Sequence, residues 1–592
     1  MSIVSFRSRP SKVPRTAVQI CVLALFCLAA PFAAWAEAPW PQPIISQGAR
    51  SLPVLATHGM AVVQEGTAAK IGVDILRSGG NVVDAAVAVG FALAVTLPRA
   101  GNLGGGGFML VYLAKEKKTV AIDYRETAPA DTGRDVFLDA AGEVVAAKSR
   151  DSGLGVGVPG TVAGLSLALR KYGSGKFSMA ELVAPAVALA RNGIEVEDDL
   201  ADSLPLAQAR LGRWPSTARI FLRPDGTSLR RGDRLVQSDL ASVIEAIGRD
   251  GARAFYEGPV AEKIVASIRA AGGRMTLDDL KSYRAIEREP LHGFYHGHEI
   301  IAMPPPSSGG VHIIELLNIL EGFPLAAQGA NSAANIHLMA EAMKLAYADR
   351  AEYLGDPDQV LIPVKGLISK TYAERLRAEI SLKRARPAAE IKPIDPIPYE
   401  SGETTHFSIV DNDGNAVANT YTLNFSYGVG LVADGTGILL NNELDDFAAK
   451  PGVPNAYGLV GGAANEPGPR KRPLSSMAPT MVFRDGELEL VTGSPGGSRI
   501  ITIVTDIILG MLDFGMNIAE ATGAVRIHHQ WQPDELQVER GLSEDTIRLL
   551  EALGHKTVVR GAWGSAQSIL RANGLLMGAS DTRQRGTLAD GY

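Results

Sequence analysis

Between Glu65 and Pro98 the chain runs EGTAAKIGVDILRSGGNVVDAAVAVGFALAVTLP, and its apolar positions predict two helices. The first ends at Gly79-Gly80, a suitable C-cap, and the second starts after Asn81, an N-cap residue type. The second is apolar almost all round yet only about 16 residues long, which predicts a buried core helix and not a membrane span. GNLGGGGFMLVYLA and TVAIDYRETAP follow as a glycine-rich turn and two strands, and residues 161–350 carry mostly helical patterns. A polar, proline-rich tract at 383–403 interrupts them. Strand patterns resume in HFSIVD, AVANTYTLN, GILLNN, TMVFRD and LELVTGS, before a helical RIITIVTDIILGMLDFG and short closing strands. No repeat period is present. Helix-rich and strand-rich regions in this order predict layered α and β with a largely antiparallel sheet, and the 383–403 tract is the natural boundary.

The 592 residues allow several domains or one large enzyme core, and 46% apolar with 21% charged residues is an ordinary globular composition. A formal charge of −6 without a long basic run leaves nucleic-acid binding no electrostatic footprint. The first 36 residues stand apart. Arg7, Arg9, Lys12 and Arg15 form a basic start, an apolar stretch follows, and Ala34-Trp35-Ala36 fits a small-x-small cleavage site before Glu37. This predicts an exported, periplasmic or secreted protein with no membrane span after cleavage; an uncleaved membrane anchor is the alternative, since the apolar run approaches the ~20 residues that span a bilayer, and Pro31 with the Ala-x-Ala site favours cleavage. The mature chain then lacks Cys21 and Cys27, the two cysteines of the sequence, and its formal charge moves from −6 to −10 with the loss of four basic residues. Disulfides, thiolate metal sites and a cysteine nucleophile are excluded together.

GETTHFSIVDNDGNAVANTYTLN, from Gly402 to Asn424, has two strand segments around an Asn/Asp/Gly turn. A threonine at the head of such a strand is a poor nucleophile unless its own α-amine is freed to act as base. Cleavage between Glu403 and Thr404 would create that arrangement. His406 alternates to the face of Thr404, so a hydroxyl–imidazole pair is conceivable, although a lone strand histidine is more often structural. Gly496-Gly497 precede an apolar helical run and offer N–H groups suited to an anion or oxyanion. Neither this turn nor GNLGGGG ends in the Gly-Lys-Ser/Thr of a phosphate loop. Glu443, Asp445 and Asp446 cluster without EF-hand spacing, and Arg125 could grip a carboxylate bidentately. His296 and His298 are expected on one strand face but lack a third metal ligand. No metal site is assigned.

Singly these signals are weak; in this order and spacing they are specific. TTHFSIVDNDGNAVANTYTLN, GILLNNELDDF, PGVPNAYGLVGG, KRPLSSMAPT and TGSPGGSRIIT resemble the small subunit of a gamma-glutamyltranspeptidase, and GNLGGGGFML and DYRETAP extend the resemblance over nearly the whole mature chain. The resemblance implies an N-terminal-nucleophile hydrolase: an α+β, four-layer αββα sandwich made as one precursor and self-cleaved. It divides the chain into a signal peptide at 1–36, a large subunit at 37–403 and a small catalytic subunit at 404–592, which form a heterodimer. Thr404 would be the nucleophile of self-cleavage and catalysis, with Thr422 supporting it. Arg125, Ser475 and Ser476 would hold the substrate α-carboxylate, Asn424, Glu443 and Asp446 its α-amino group, and Gly496-Gly497 the oxyanion. Tyr457 would wall the site from a lid loop at 451–462.

The implied donors are glutathione and other γ-glutamyl compounds, the acceptors water, amino acids or dipeptides, and no cofactor is required. A γ-glutamyl group ends in a free amino acid, so its site needs a cation and carboxylates, and this sequence supplies both. A glutaryl-type (cephalosporin) acylase of the same fold is the nearest rival, but its substrates carry no α-ammonium to occupy Glu443 and Asp446. A non-catalytic binding protein has no use for Thr404, Thr422 and the glycine pair.

Overall fold

The computed structural model describes residues 51–393 and 406–592. The signal segment expected at 1–36 and the junction Glu403–Thr404 lie outside the described residues. The two predicted helices are present as Gly66–Arg77 and Val82–Thr96. Asn81 caps the second by accepting the N–H groups of Val83 and Asp84, and the Asp84 carboxylate accepts the Asn81 N–H in return. All residues of Val82–Thr96 are buried, which accounts for a helix without a polar face.

Two seven-stranded sheets form the centre. The first runs in the order Leu588–Gly591, Met60–Val63, Phe407–Val410, Ala416–Thr422, Gly106–Leu113, Lys118–Tyr124 and Ile286–Arg288. The second runs Val54–Ala56, Leu575–Ser580, Gln567–Ala572, Glu487–Thr492, Thr480–Arg484, His298–Ala302 and Leu291–Tyr295. Neighbouring strands are antiparallel throughout both sheets. The period of two sorts side chains into layers. Met109, Val111, Val417 and Tyr421 pack against the helix Val82–Thr96 and its neighbours. Phe108, Leu110, Ala416 and Ala418 instead meet Ile301, Met481 and Phe483 of the second sheet. On that sheet's outer face, Ile300, Ala302 and Val482 pack under the helices Ser308–Leu320, Ala333–Tyr353 and Ile500–Leu512. The result is the four-layer αββα sandwich.

The 383–403 tract is a boundary in sequence but not in space. Phe407–Val410 pairs with Met60–Val63, and Ala416–Thr422 pairs with Gly106–Leu113, so the first sheet interleaves strands from both sides of the tract. The glycine-rich turn serves that pairing. A Cβ on Gly105 would stand 1.9 Å from the Thr422 carbonyl oxygen, and one on Gly107 would stand 2.3 Å from that of Thr420. One expectation is corrected. His298 begins a strand, but His296 sits in the preceding hairpin turn with φ of 47°, because Tyr295 pairs directly with His298. His298 Nδ1 meets Glu489 at 2.8 Å and His296 Nε2 meets Asp513 at 3.4 Å, so the two rings do not share one face.

Candidate active site

At the end of the Phe407–Val410/Ala416–Thr422 hairpin lies a cavity of about 350 Å³. Thr422, Asn424, Glu443, Asp446, Tyr457, Gly496 and Gly497 line it together, as the sequence predicts for one site. Arg99, Phe425, Ser426 and Pro495 complete much of its wall. Phe425 and Ser426 directly follow Asn424, a signal available in the sequence; Arg99 had none beyond its place between a buried helix and the glycine turn.

Several local devices fix these groups. Thr422 Oγ1 accepts the Asn424 N–H at 2.8 Å, and Asn424 holds a φ of 70°, a left-handed conformation that asparagine tolerates. The Asn424 Nδ2 donates to the Asn442 carbonyl at 2.9 Å, leaving Oδ1 2.8 Å from the Tyr457 hydroxyl. That contact joins the 451–462 loop to the hairpin. Gly497 has a φ of 59°, and a Cβ there would meet the Tyr457 ring at 2.9 Å, so both backbone conformation and the loop require glycine. Glu443–Asp446 forms a single 3-10 turn, anchored where the Asn441 Oδ1 accepts the N–H groups of Glu443 and Gly157. Asn441 was not singled out in the sequence, where it looks like any strand-end asparagine.

Arg125 is fully buried behind this acidic turn. One guanidinium nitrogen pairs with Glu443 and another with Asp446 at 2.7 Å, while Nε donates to the Pro473 carbonyl at 3.2 Å. Glu126, also fully buried, lies 3.8 Å from the same guanidinium. One arginine thus faces three carboxyl groups. Burial raises the pKa of Glu443, Asp446 and Glu126, and Arg125 pulls each of them back down. Around the Arg125 guanidinium three carboxyl groups lie within 4 Å, which favours a ligand whose ammonium group faces Glu443 and Asp446. Ser475 and Ser476 are buried beyond Leu474, whose carbonyl oxygen is 3.4 Å from Arg125 Nη2. The Ser475 hydroxyl has no hydrogen-bond partner among the described residues, and Ser476 Oγ lies 3.3 Å from an Arg350 nitrogen.

His406 does not present a free imidazole. It is 1% exposed, with Nε2 2.7 Å from Ser408 Oγ and Nδ1 3.1 Å from Thr420 Oγ1. Burial alone lowers its pKa to about 3, so the ring is neutral at physiological pH. Thr404 lies outside the described residues. The strand that follows it begins at Phe407 and pairs with Asn419, three residues before the cavity-lining Thr422.

Comparison with known proteins places this geometry. The sequence pattern of one protein family, described as Gamma-glutamyltranspeptidase, matches residues 68–591. The Glutathione hydrolase proenzyme of Escherichia coli is 53% identical over 561 residues, covering 94% of this chain and 96% of that protein. Among solved structures, cephalosporin acylase from Bacillus halodurans superposes with a TM-score of 0.79 at 27% identity, covering 94% of this chain and 99% of its own. Helicobacter pylori gamma-Glutamyltranspeptidase gives a TM-score of 0.55 at 42% identity, over 59% of this chain and 97% of its own.

Proposed function

Because the chain belongs to the gamma-glutamyltranspeptidase family, we propose that it is a self-processing enzyme that cleaves γ-glutamyl amides, glutathione among them. The γ-glutamyl group passes to water or to an amino acid or short peptide. In this reading the signal segment 1–36 exports the precursor to the periplasm or medium, and cleavage before Thr404 yields subunits 37–403 and 404–592. The interleaved first sheet supports their remaining one heterodimer, since strands from both sides of the cut are its neighbours.

Cleavage frees the α-amine of Thr404, whose ordinary pKa is near ~7.7–8.0. The neutral amine takes the hydroxyl proton as Oγ1 bonds to the γ-carbonyl carbon. The oxyanion that forms is held by N–H groups of the Gly496-Gly497 turn. Its collapse breaks the C–N bond, and the departing amine takes the proton. Water or an acceptor amine then attacks the ester carbonyl, loses a proton to the Thr404 amine, and returns the hydroxyl. Thr422 orients the nucleophile's neighbourhood.

Recognition follows from exchange of ion pairs. The amino-acid end of the donor inserts its ammonium toward Glu443, Asp446 and Asn424, and its carboxylate toward Arg125, Ser475 and Ser476. The donor end adds no net charge: its ammonium takes over from Arg125 opposite Glu443 and Asp446, and its carboxylate takes over from them opposite Arg125, so each keeps a partner of opposite sign. The observation that carries the reading is this one: Glu443 and Asp446, backed by the buried Arg125 and Glu126, stand on a cavity also lined by Thr422 and Gly496-Gly497. A glutaryl donor would leave Glu443 and Asp446 without an ammonium.

The test is direct. Purified protein should separate into two chains, and Thr404→Ala should remain one chain without activity. The wild type should turn over a γ-glutamyl anilide and do so faster with glycylglycine. Efficient processing of Thr404→Ala would exclude Thr404 as the nucleophile.

A further inference from the structure

Away from the cavity, the helix Ala333–Tyr353 carries His337 and Glu341 one turn apart, on the same face. His555, just after the helix Glu544–Ala552, closes onto them. All three are buried, none lines the cavity, and one ligand atom from each falls within 4.8 Å of the others. The hydrogen bonds define which lone pairs are available. His337 Nε2 lies 2.6 Å from the Ser381 carbonyl oxygen, an acceptor, so this nitrogen carries the ring's proton. Nδ1 of His337 therefore turns a lone pair inward, where it meets His555 Nε2 at 2.7 Å. A ring fixed through its outer N–H by a backbone carbonyl is the arrangement found around metal-ligating histidines.

Glu341 points one oxygen at the Arg386 N–H, 3.1 Å away, and the other at Lys344 Nζ, 2.5 Å away. Lys344 also donates to the Arg386 carbonyl, so it keeps a partner if it leaves Glu341.

We propose that His337 Nδ1, Glu341 Oε1 and His555 Nε2 form a binding site for a divalent cation of the Zn²⁺ class. Two imidazoles and a carboxylate are a ligand set that this borderline ion prefers. Binding requires the three ligand atoms, which lie within 4.8 Å of one another, to adjust to the ion. Two nitrogens bonded tetrahedrally to Zn²⁺ at ~2.0–2.1 Å stand about 3.3 Å apart, so the rings must separate by roughly half an ångström. The His555 proton moves to its Nδ1, and Lys344 retains the Arg386 carbonyl. The ion joins the helix at 333–353 to a residue near the C-terminus, and so holds together segments on both sides of the 383–403 tract. It is structural and takes no part in the reaction above.

The intact protein, stripped with a chelator and dialysed, is titrated with Co²⁺ and followed by its visible absorption, then with Zn²⁺ by calorimetry. The wild type is expected to take up one equivalent, with the intense visible bands of Co²⁺ made four-coordinate by the three side chains and one water. His555→Gln and Glu341→Gln are expected to lose those bands, and Lys344→Met, which removes the competing ammonium, to tighten binding about tenfold. Circular dichroism separates a lost ligand from a lost fold. Spectra identical in the wild type and both ligand variants overturn the assignment, as does an absence of uptake by both the wild type and Lys344→Met.

Discussion

Two buried arginine–carboxylate clusters in this molecule are built to different plans. Beside a short three-stranded sheet made of Ile527–His528, Leu536–Glu539 and Thr557–Arg560, Arg526 pairs with Asp581 at 2.5 Å, and Arg583 grips Glu539 with contacts of 2.6 and 2.8 Å. The remaining acceptor positions take backbone N–H groups: Ala566 and Arg583 give theirs to Asp581, and Arg526 and Trp563 give theirs to Glu539. The acceptors of Asp581 and Glu539 are thus filled and this quartet is closed, although a third buried carboxyl group, Asp506, feels the charge of both arginines and stands outside it. At the cavity, Arg125 faces Glu443, Asp446 and Glu126 within 4 Å, and Oε2 of Glu443 accepts no N–H from the described residues. The closed cluster stabilises; the open one leaves charge for a ligand to complete. A buried ion pair is thus functional information only when its donors and acceptors are counted.

The largest effect is expected in the closed cluster. Arg526→Met leaves buried Asp581 with only the longer Arg583 contact at 3.2 Å and should cost about 3 kcal/mol in denaturant unfolding. A loss below ~1 kcal/mol would erase the distinction between the clusters. Arg125→Lys should behave differently, keeping the melting temperature close to wild type while raising the KM for γ-glutamyl donors. Replacing a planar fork by a point charge weakens carboxylate binding by on the order of 1.5–3 kcal/mol, or roughly 10- to 150-fold. An unchanged KM would remove Arg125 from recognition.

Smaller still is Tyr457→Phe, which removes the hydroxyl that ties the 451–462 loop to Asn424. About 0.5–1.5 kcal/mol should appear as a several-fold rise in KM with kcat nearly unchanged. The least effect on the reaction is expected from His406. Burial lowers the pKa of its ring to about 3, so His406→Asn should leave in place the rise of activity expected at neutral to alkaline pH as the Thr404 amine loses its proton. A processed but inactive His406→Asn enzyme would overturn the amine-base mechanism. Stability carries a separate signature. His406 and His528 are both lowered to about 3 by burial, whereas an unfolded histidine titrates near ~6.5. The unfolded chain therefore takes up these protons first. Stability is full above pH ~6.5 and falls as the pH is lowered from there toward 3, which acid titration of the melting temperature would detect.

Much of this was legible along the chain because it is local. Asn81 and Asp84 announce a capping box, the DNDGN turn announces a hairpin, and helical apolar spacing marks Ile500–Leu512. The cavity residues were legible only through their joint order, since each one taken singly is ordinary. Long-range charge accounting was not legible. Arg125 and Glu443 are 318 positions apart, and nothing in either stretch tells that they pair in the absence of ligand. His296 and His298 misled for the opposite reason. Their spacing of two fits one strand face, but the hairpin turns between them, at a Gly297 with φ of 84°. The His337–His555 contact spans 218 positions and has no local sign at all.

The central claim is that the open cluster reads the amino-acid end of the donor, and one comparison tests it most directly. Matched γ-glutamyl and glutaryl anilides, which differ by the α-amino group, are assayed for kcat/KM on the processed enzyme. A site that leaves buried carboxylates unpaired should reject the glutaryl compound by about 10⁴-fold. Asp446→Asn should lose most of that preference by slowing the γ-glutamyl reaction. Equal kcat/KM for the two anilides in the wild type would contradict the account.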